Sequence, residues 1–290
     1  MMISGHRGNV REISAGPYRG MVIKDSSIDL FLQANGNPDN LFENNGYLLK
    51  SSGSTRSAIA ELNDIGSEIQ SEKLFVKSFL FKNLFHSLKP HFTKHRAQIS
   101  WDVSWYLLDR SISVPEPKGY LTKLRGPFCL RGYFFCQALL NCSSLDGLTQ
   151  DRAQLCNRLD AGGLISVLAR NIASLHDNGV IHGDLKWSNI LIKEDENQPW
   201  FVDFDSAKLH RHSPPPRAYA RDLARFLLSG LEAGIEETIL ERLLDEYVNY
   251  RKLVRANIDE PVAKILEKLK HRHQKEYGDK GASSKTGTES

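Results

Sequence analysis

The chain has 290 residues, of which 40% are hydrophobic and 25% are charged, and its formal net charge is +3. This length allows two modest lobes or one large domain, and the composition is that of an ordinary globular protein, which excludes a disordered or fibrous chain. Because the net charge is small and both signs are about equally common, the sequence does not indicate a nucleic-acid partner.

The cysteines and the N-terminal residues indicate a protein that stays inside the cell. The four cysteines form no Cys-x-x-Cys pair, and their neighbours are mostly apolar or small, so we expect neither a metal site nor a disulfide framework. Residues 1–10 lack the apolar core of a secretory signal, and no window has the roughly 18–20 apolar residues that a membrane-spanning helix needs. We therefore expect a cytoplasmic protein.

The first part of the chain has the pattern of an antiparallel sheet. Between residues 23 and 79, short apolar runs are separated by turn sequences, and the clearest strands are residues 47–50, 58–62 and 73–79. The first two of these strands flank the polar loop Ser51–Ser57. This arrangement predicts a hairpin that could cover phosphate groups.

A helix and two more strands are predicted next. Apolar residues recur at helical spacing over residues 97–109, and Pro115 and Pro117 then favour an extended segment. Residues 119–124 and 128–140 are two further strand-like runs.

After residue 146 the chain is mainly helical. A helix over residues 164–175 is predicted to end at the Asn178-Gly179 pair, and residues 221–228 and 235–253 continue the helical pattern. The final 20 residues lack periodicity, which predicts a disordered tail over 271–290. We therefore expect an N-terminal lobe with an N-terminal extension over residues 1–137, a C-terminal lobe over 138–270, and a ligand-binding cleft between them.

The most informative segment follows the helix that is predicted to end at residue 178. It reads VIHGDLKWSNILI over residues 180–192 and WFVDFD over residues 200–205. The two stretches match the protein-kinase pattern, in which H-x-D-x-x-x-x-N is followed by a strand that ends in Asp-Phe. The flanking apolar strands supply the structural context that this motif requires.

Each polar residue of this segment has a separate role in phosphoryl transfer. The oxygens of Asn189 and Asp203 are ligands suited to Mg²⁺, and Asp184 would accept or orient the proton of the hydroxyl that attacks ATP. Lys186 can place its ammonium beside the γ-phosphate, and His182 is expected to support the loop through backbone hydrogen bonds. Each residue alone is common in ordinary turns, so it is their joint spacing that predicts a kinase.

A kinase also needs a lysine that binds the α- and β-phosphates, on the third strand of the first lobe. Lys77 fits because it lies within an alternating apolar run, although a strand lysine can also face solvent at a sheet edge. The phosphate-covering loop has Gly53 as its single glycine and is therefore a weak signal. Backbone amides and the hydroxyls of Ser52, Ser54 and Thr55 could still donate to phosphate oxygens.

With these residues in place, the chain resembles the lipopolysaccharide core kinase family, the Kdo-kinase and WaaP type, from about Leu48 to Leu228. The resemblance includes the catalytic loop, the helix around Trp101, and the stretches VPEP at 114–117 and RDLAR at 221–225. It implies an α+β, bilobal protein-kinase-like fold, with an antiparallel β-sheet N-lobe, a mainly helical C-lobe and the ATP site in the cleft between them. Members of this family use ATP to phosphorylate sugars of the lipopolysaccharide inner core on the cytoplasmic face of the inner membrane.

One departure from the family concerns the helix glutamate that pairs with the strand lysine. It is expected immediately before Trp101, where this chain has Ser100. Either Gln98 or Asp102 substitutes for it, or Lys77 is positioned differently, or phosphate binding is weakened. The sequence leaves these alternatives open.

Two features favour a small-molecule or lipid-linked acceptor over a protein. Gly183 replaces the arginine that contacts a phosphorylated activation loop in regulated protein kinases, and residues 205–217 contain no Ala-Pro-Glu signature for docking a protein substrate. Asp205, at the start of that segment, either ligates a second metal ion or caps a turn.

Residues 79–96 interleave aromatic and aliphatic side chains with basic ones. Such a segment either lies on the surface of the inner membrane, where it would bring the enzyme to a lipid-linked sugar, or packs against the core with a solvated basic face. Both readings stay open, because Pro90 shortens any helix here.

We therefore expect a kinase that depends on ATP and Mg²⁺ and phosphorylates a sugar hydroxyl, that of Kdo or heptose in the lipopolysaccharide inner core. One alternative is a non-catalytic nucleotide-binding pseudokinase scaffold, which Ser100 and the glycine-poor loop favour. Another is a soluble small-molecule phosphotransferase, because His-Gly-Asp openings also occur in such enzymes. A protein kinase has the least support.

Overall fold

The computed structural model describes residues 9–34, 36–43, 46–62, 72–81, 94–161, 163–193, 196–211 and 214–283. The chain divides into two compact units, of which unit 1 is Met1–Asn141 with Phe201–Ala207, and unit 2 is Cys142–Trp200 with Lys208–Ser290. The division expected at residue 137 therefore differs from the structure in one important respect. The short segment Phe201–Ala207, which contains two aspartates of the motif, belongs to unit 1.

Unit 1 is built on an antiparallel sheet, which has seven strands within the described residues, in the order β1-β2-β6-β7-β5-β4-β3. Its strands are β1 (Val10–Ala15), β2 (Tyr18–Ile23), β3 (Gly46–Ser51), β4 (Thr55–Leu62), β5 (Glu72–Leu80), β6 (Pro117–Arg125) and β7 (Phe128–Gln137). Its helices are α1 (Ser27–Gln33) and α2 (Arg96–Leu108). Strands β3 to β7 and helix α2 lie close to where periodicity predicted them.

The sheet buries both of its faces, because alternate residues of a strand point to opposite sides. On β7, Tyr133 and Phe135 join the core that includes Ile28 of α1. The residues between them, Phe134 and Cys136, join the core that includes Trp101 of α2. Residues 133–136 of β7 therefore form a continuous apolar run, since neither side of the sheet meets water at this point.

The sequence predicted only strands between residues 23 and 79, and this was wrong for Ser27–Gln33, which form α1. The hydroxyl of Ser26 accepts a hydrogen bond from the backbone N–H of Asp29 at 3.4 Å and so caps the helix. The hairpin of β1 and β2 was not predicted either. Its strands mix charged, small and apolar residues, so their apolar runs are too short to stand out.

Unit 2 is mainly helical. Its helices are α3 (Arg152–Leu159), α4 (Leu164–Asp177), α5 (Pro216–Glu232), α6 (Glu237–Tyr250) and α7 (Ala256–Ser283). Helix α5 packs against α7, and α4 packs against α6. The short strands are β8 (Cys142–Ser144), β9 (Val180–Ile181), β10 (Ile190–Lys193), β11 (Pro199–Phe201) and β12 (Lys208–Leu209). Strand β12 pairs with β9, and β10 pairs with β8. Residues 182–189 of the kinase-like motif lie between β9 and β10.

The C-terminal tail differs from the expectation of disorder from residue 271. Helix α7 continues to Ser283, because residues 271–277 include Arg, Gln, Lys and Glu, which favour helix without any apolar periodicity. Residues 284–290 lie outside the described residues, as do residues 82–93 of the basic apolar segment. In the part of the chain that is described, no helix is long and apolar enough to cross a membrane.

Candidate active site

Lys77 lies in the middle of β5, on the face of the sheet that packs against α2. Strand alternation places it on the same face as Phe79. The lysine side chain is 13% exposed. Its ammonium donates to Oδ1 of Asp203 at 2.5 Å and to Oδ2 of Asp205 at 2.8 Å. The strand lysine and both aspartates of the DFD sequence therefore form one charged cluster within unit 1.

The backbone after β11 brings the two carboxylates together. Asp203 has a φ of 69°, in the left-handed region that aspartate adopts more readily than most residues, and Phe204–Ser206 form a short 3₁₀ turn. Burial and the neighbouring Asp205 carboxylate raise the pKa of Asp203. Burial also acts to raise the pKa of Asp205, but the charges of Lys77 and Arg96 outweigh it and lower that pKa. Asp205 is therefore held ionised more firmly than Asp203.

Helix α2 contributes a cation to this cluster. The guanidinium of Arg96 donates to Oδ2 of Asp205 at 2.6 Å. Ser100, at the position where the sequence analysis expected a glutamate, is buried, and its hydroxyl donates to the backbone oxygen of Arg96 at 3.1 Å. Of the substitutes considered for that glutamate, Asp102 pairs with Lys94 instead.

A buried histidine holds the start of α2. Nδ1 of His95 accepts a hydrogen bond from the backbone N–H of Ala97 at 2.9 Å, so the imidazole acts as the N-cap. The ring lies against Gly132 of β7, where a Cβ atom would be 1.8 Å from Cε1 of the histidine. Burial, helped by the charge of Arg96, lowers the pKa of His95 to about 4, so the ring is neutral near pH 7.

The residues expected to bind phosphate lie together at the tip of the β3–β4 hairpin. The backbone N–H of Ser52 donates to the backbone oxygen of Thr55 at 2.8 Å, and the hydroxyl oxygens of these two residues are 2.9 Å apart. The backbone N–H of Leu80 donates to the oxygen of Ser54 at 2.8 Å, which ties the loop to β5. The loop also contains Gly53, and the hydroxyls of Ser52 and Thr55 form hydrogen bonds within the turn.

In unit 2, Asp184 lies in the loop between β9 and β10. Its Oδ1 accepts a hydrogen bond from the guanidinium of Arg225, on α5, and its Oδ2 is 3.1 Å from the ammonium of Lys186. The aspartate side chain is 28% exposed. The carboxylate is therefore held between two cations but can still be reached from solvent.

Asn189 is buried in the same loop, and the NH₂ group of its side-chain amide faces Asp184. Its Nδ2 donates to the backbone oxygen of Asp184 at 2.9 Å and to Oδ2 at 3.4 Å. The amide oxygen consequently points away from Asp184, and it is the atom of this side chain that could ligate a cation.

The backbone of this loop is held by a buried carboxylate. Asp222 of α5 accepts hydrogen bonds from the backbone N–H groups of His182 at 2.7 Å and Gly183 at 2.9 Å. His182 is itself buried, and Gly183 has a φ of 81°, which glycine adopts without steric cost. This conformation gives a local reason for glycine at the position where regulated protein kinases have arginine.

Two further buried side chains extend the contacts of Asp222: His176 lies next to it, and Tyr247 lies next to His176. Nε2 of His176 lies 3.4 Å from Oδ2 of Asp222, and its Nδ1 lies 2.8 Å from the hydroxyl of Tyr247. Burial lowers the pKa of His176, although Asp222 opposes this shift. The tyrosine hydroxyl accepts a hydrogen bond from Arg251 at 2.6 Å. A chain of contacts from α6 therefore ends at the backbone of the loop that carries Asp184.

Sequence reasoning assigned no role to Arg96, Asp222 or Arg225. For the last two a signal was present, because the stretch RDLAR places Asp222 and Arg225 three residues apart on one face of a helix. Arg96 was counted only among the basic residues of segment 79–96, so nothing in the sequence marked it as a partner of Asp205. Its role depends on a contact with a residue 109 positions away.

The side-chain oxygens of Asp203 and Asn189 are chemically suited to Mg²⁺. The described side chains do not by themselves form a complete set of metal ligands. Among the described residues, no three His, Cys, Asp or Glu side chains are grouped in a way that could hold a metal ion. Mg²⁺ typically uses one or two carboxylates and completes its shell with phosphate oxygens and waters. The carboxylate of Asp203 and the amide oxygen of Asn189 are oxygen donors of the required kind.

Comparison with solved structures supports the fold assignment. A structure described as WaaP in complex with acyl carrier protein has 19% sequence identity to this chain and a TM-score of 0.58, and the match covers 84% of this chain and 94% of that chain. At this identity the similarity concerns the fold. The predicted α+β, protein-kinase-like fold class is confirmed.

Comparison of the sequence with protein families gives a more specific result. Among curated proteins, none matches this chain significantly. A family model described as "Lipopolysaccharide kinase (Kdo/WaaP) family" matches residues 44–247. This match spans more than half of the chain and includes Lys77, Asp184 and Asp203, so the chain belongs to the lipopolysaccharide kinase (Kdo/WaaP) family.

Proposed function

We propose that this protein transfers the γ-phosphate of ATP to a hydroxyl of a sugar in the lipopolysaccharide inner core, either Kdo or heptose, in a reaction that requires Mg²⁺. The family supports a kinase that acts on lipopolysaccharide. The nucleotide, the metal ion and the acceptor sugar are our inferences. They are drawn from the charged residues around Lys77 and from those around Asp184.

In this proposal, Asp184 orients the acceptor hydroxyl and accepts its proton as the hydroxyl oxygen attacks the γ-phosphorus. A new oxygen–phosphorus bond forms, the bond from the γ-phosphorus to the bridging oxygen breaks, and ADP leaves. Lys186 places positive charge near the transferred group, and Lys77 binds the α- and β-phosphates. Asn189 and Asp203 would hold Mg²⁺, which neutralises negative charge on the phosphates when it is bound.

The observation that carries this proposal is the position of Asp184. An aspartate in an ordinary surface turn is free to move, whereas this carboxylate is held between Lys186 and Arg225. The backbone that precedes it is fixed by Asp222, which is fully buried. Such restraint keeps a proton acceptor in one place, as an in-line transfer requires.

A transfer assay tests the proposal. Purified protein is incubated with Mg²⁺, ATP labelled in its γ-phosphate, and a panel of acceptors: Kdo-bearing lipid A, the same acceptor extended with heptose, and lipid A without either sugar. We expect label in a sugar-bearing acceptor and none in lipid A alone. Absence of transfer to every acceptor, together with absence of ATP binding, would contradict it.

A second candidate is a scaffold that binds nucleotide without catalysis, and Ser100 in place of the helix glutamate favours it. The two functions differ in their response to an Asp184→Asn change. A scaffold should keep its ATP-dependent thermal stabilisation and its cellular role in that variant. A kinase should keep the stabilisation but lose phosphate transfer and the cellular phenotype.

A third candidate is a soluble phosphotransferase that acts on small molecules. We place the protein instead at the cytoplasmic face of the inner membrane, through the basic and apolar segment 79–96. Within this segment Phe79 is buried in the core and Arg96 pairs with Asp205, so we assign the contact to residues 82–93, which lie outside the described residues. Flotation with vesicles that contain anionic lipid separates the two candidates. A protein that stays at the bottom of the gradient at low salt would favour the soluble enzyme.

A further inference from the structure

The carboxylate partners of Lys77 come from the turn that follows β11. In kinases generally the corresponding lysine pairs with a glutamate on a helix of the first lobe. Here its ammonium donates to Asp203 at 2.5 Å and to Asp205 at 2.8 Å. Both contacts lie within unit 1, as does the helix that lacks the glutamate.

The two aspartates are held to different extents. Oδ2 of Asp205 receives both Lys77 and Arg96, its Oδ1 accepts a hydrogen bond from the hydroxyl of Ser206 at 2.9 Å, and its side chain is only 6% exposed. Asp203 is 31% exposed, and its cationic partner is Lys77. Asp205 is therefore enclosed by donors, whereas Asp203 still presents oxygen to solvent.

Arg96 is itself firmly placed. It is the first residue of α2, directly after the buried cap His95, and its guanidinium lies 4.7 Å from the centre of the Phe79 ring. The ammonium of Lys77 lies 5.3 Å from the centre of the same ring. One aromatic side chain thus supports both cations, and Asp205 bridges them.

The ammonium of Lys77 has three N–H donors, of which the two aspartates receive two. The lysine can therefore keep Asp205 as its anchor and still offer a donor to a phosphate oxygen. In most kinases the lysine likewise donates to the helix glutamate and to phosphate oxygens at the same time.

We propose that Asp205 and Arg96 together replace the missing helix glutamate: Asp205 anchors Lys77, and Arg96 is the positioning residue that holds Asp205. In this arrangement Asp205 is not a ligand for a metal ion, and the helix acts on the lysine through a cation instead of a carboxylate. The role of Lys77 towards ATP rests on the proposed function, but the geometry of the anchor does not.

The first test is structural and needs no nucleotide. In a crystal structure of the full chain with Arg96→Gln, we expect Asp205 to turn and its contact with Lys77 to be lost. In the Arg96→Lys variant, a shorter cation can still reach the carboxylate, so the contact should be kept. A Lys77–Asp205 contact that survives Arg96→Gln unchanged would overturn the inference.

The second test measures binding of ADP and of adenosine by calorimetry without metal ions. Because the effect acts through Lys77 on phosphate, Arg96→Gln should weaken ADP binding roughly tenfold, the size of loss expected when one hydrogen bond to a charged group is weakened. It should leave adenosine binding unchanged, and Arg96→Lys should recover most of the ADP affinity. Equal losses for both ligands would indicate a general structural defect and would contradict a positioning role.

Lys94→Gln is the matched control. It removes a cation two residues from Arg96, at the start of the same helix, but Lys94 pairs with Asp102 and not with Asp205. We expect wild-type ADP affinity in this variant, and a loss equal to that of Arg96→Gln would count against the proposed specificity. If the wild-type protein binds neither ligand, the proposed kinase function fails, and the crystal structures still decide whether Arg96 holds the anchor.

Discussion

The charged groups of unit 1 and those of unit 2 are held in different ways. In unit 1, Lys77, Arg96 and Asp205 come from a strand, a helix and a turn, and they are joined by contacts between side chains. In unit 2, the loop that carries Asp184 is fixed mainly through its backbone, whose N–H groups donate to the buried Asp222.

The two units should therefore tolerate different substitutions. The backbone of the loop in unit 2 depends on one buried acceptor, Asp222. The side chains of the loop are therefore not needed to hold its backbone and are available for catalysis. A cluster held by side chains depends on every element that contributes to it. We therefore expect unit 2 to respond sharply to single changes at Asp184 and Asp222, and unit 1 to respond to changes that displace α2.

The largest effect is expected for Asp184→Asn. The amide cannot accept the proton of the attacking hydroxyl, so the rate of phosphate transfer should fall by roughly 10²–10⁴-fold. ATP binding should change little, because the phosphates are assigned to Lys77. The measurement is kcat with a sugar acceptor, together with the dissociation constant for ATP. Asp160→Asn, at an exposed aspartate that pairs with Arg242, is the control and should be fully active.

The second effect is expected for Asp222→Ala. This change leaves the buried N–H groups of His182 and Gly183 without their acceptor, and each unsatisfied donor costs about 1–3 kcal/mol. We expect the free energy of unfolding to fall by about 2–6 kcal/mol in urea denaturation. Asp245→Ala, at an exposed aspartate paired with Arg255, should cost less than about 1 kcal/mol. Similar losses in the two variants would mean that the buried acceptor does not hold the loop.

The third prediction concerns pH and the start of α2 in unit 1. The pKa of His95 is lowered to about 4 in the fold, from an ordinary value of 6.5, so in this interval the unfolded chain binds a proton that the folded chain does not. Stability should therefore decrease as the pH falls from about 6.5 to about 4, with a contribution from His95 on the order of 3 kcal/mol.

Urea denaturation of the wild type and of His95→Asn over this pH range measures that contribution. Asparagine can still cap the helix but does not titrate, so the variant should lose less stability on acidification than the wild type. His176 is also buried with a lowered pKa and contributes equally to both proteins. Parallel pH dependences in the two proteins would exclude His95 as the source.

The smallest effect is expected for Gly132→Ala on β7. The new Cβ would lie 1.8 Å from the His95 ring, which is buried and has to shift. We expect a loss of about 1–3 kcal/mol in the free energy of unfolding, with a displaced start of α2. Gly147→Ala is the matched control, because its nearest contact is the flexible side chain of Ser144 at 3.1 Å, and it should change stability by less than about 0.5 kcal/mol.

Much of the fold could be predicted from periodicity. Strands β3 to β7 and helices α2 and α4 are long and regular, so their apolar patterns marked them in the sequence. Helix α1 has only seven residues, which is too short for a periodic signal. The tail was predicted to be disordered over 271–290, yet α7 extends to Ser283, since helix propensity does not require an apolar stripe.

The candidate site could be predicted where its residues are neighbours in the chain. The loop with Asp184, Lys186 and Asn189 is a contiguous motif, and the spacing of its residues indicates their chemistry. Arg225 and Asp222 reach this loop from α5, some 40 residues later, and no local pattern assigned their partners. The open question about the partner of Lys77 also needed the folded chain.

The amino-acid sequence was sufficient to predict the fold class, an antiparallel sheet followed by helices, and to single out the loop around Asp184 and the lysine of β5. These follow from local periodicity and from motif spacing, which depend on neighbouring residues. The contacts of Asp205 with Lys77 and Arg96, and those of Asp222 with the loop that carries Asp184, became apparent only in the folded chain. Such contacts join residues distant in the chain, and they form only when packing brings strand, helix and turn together.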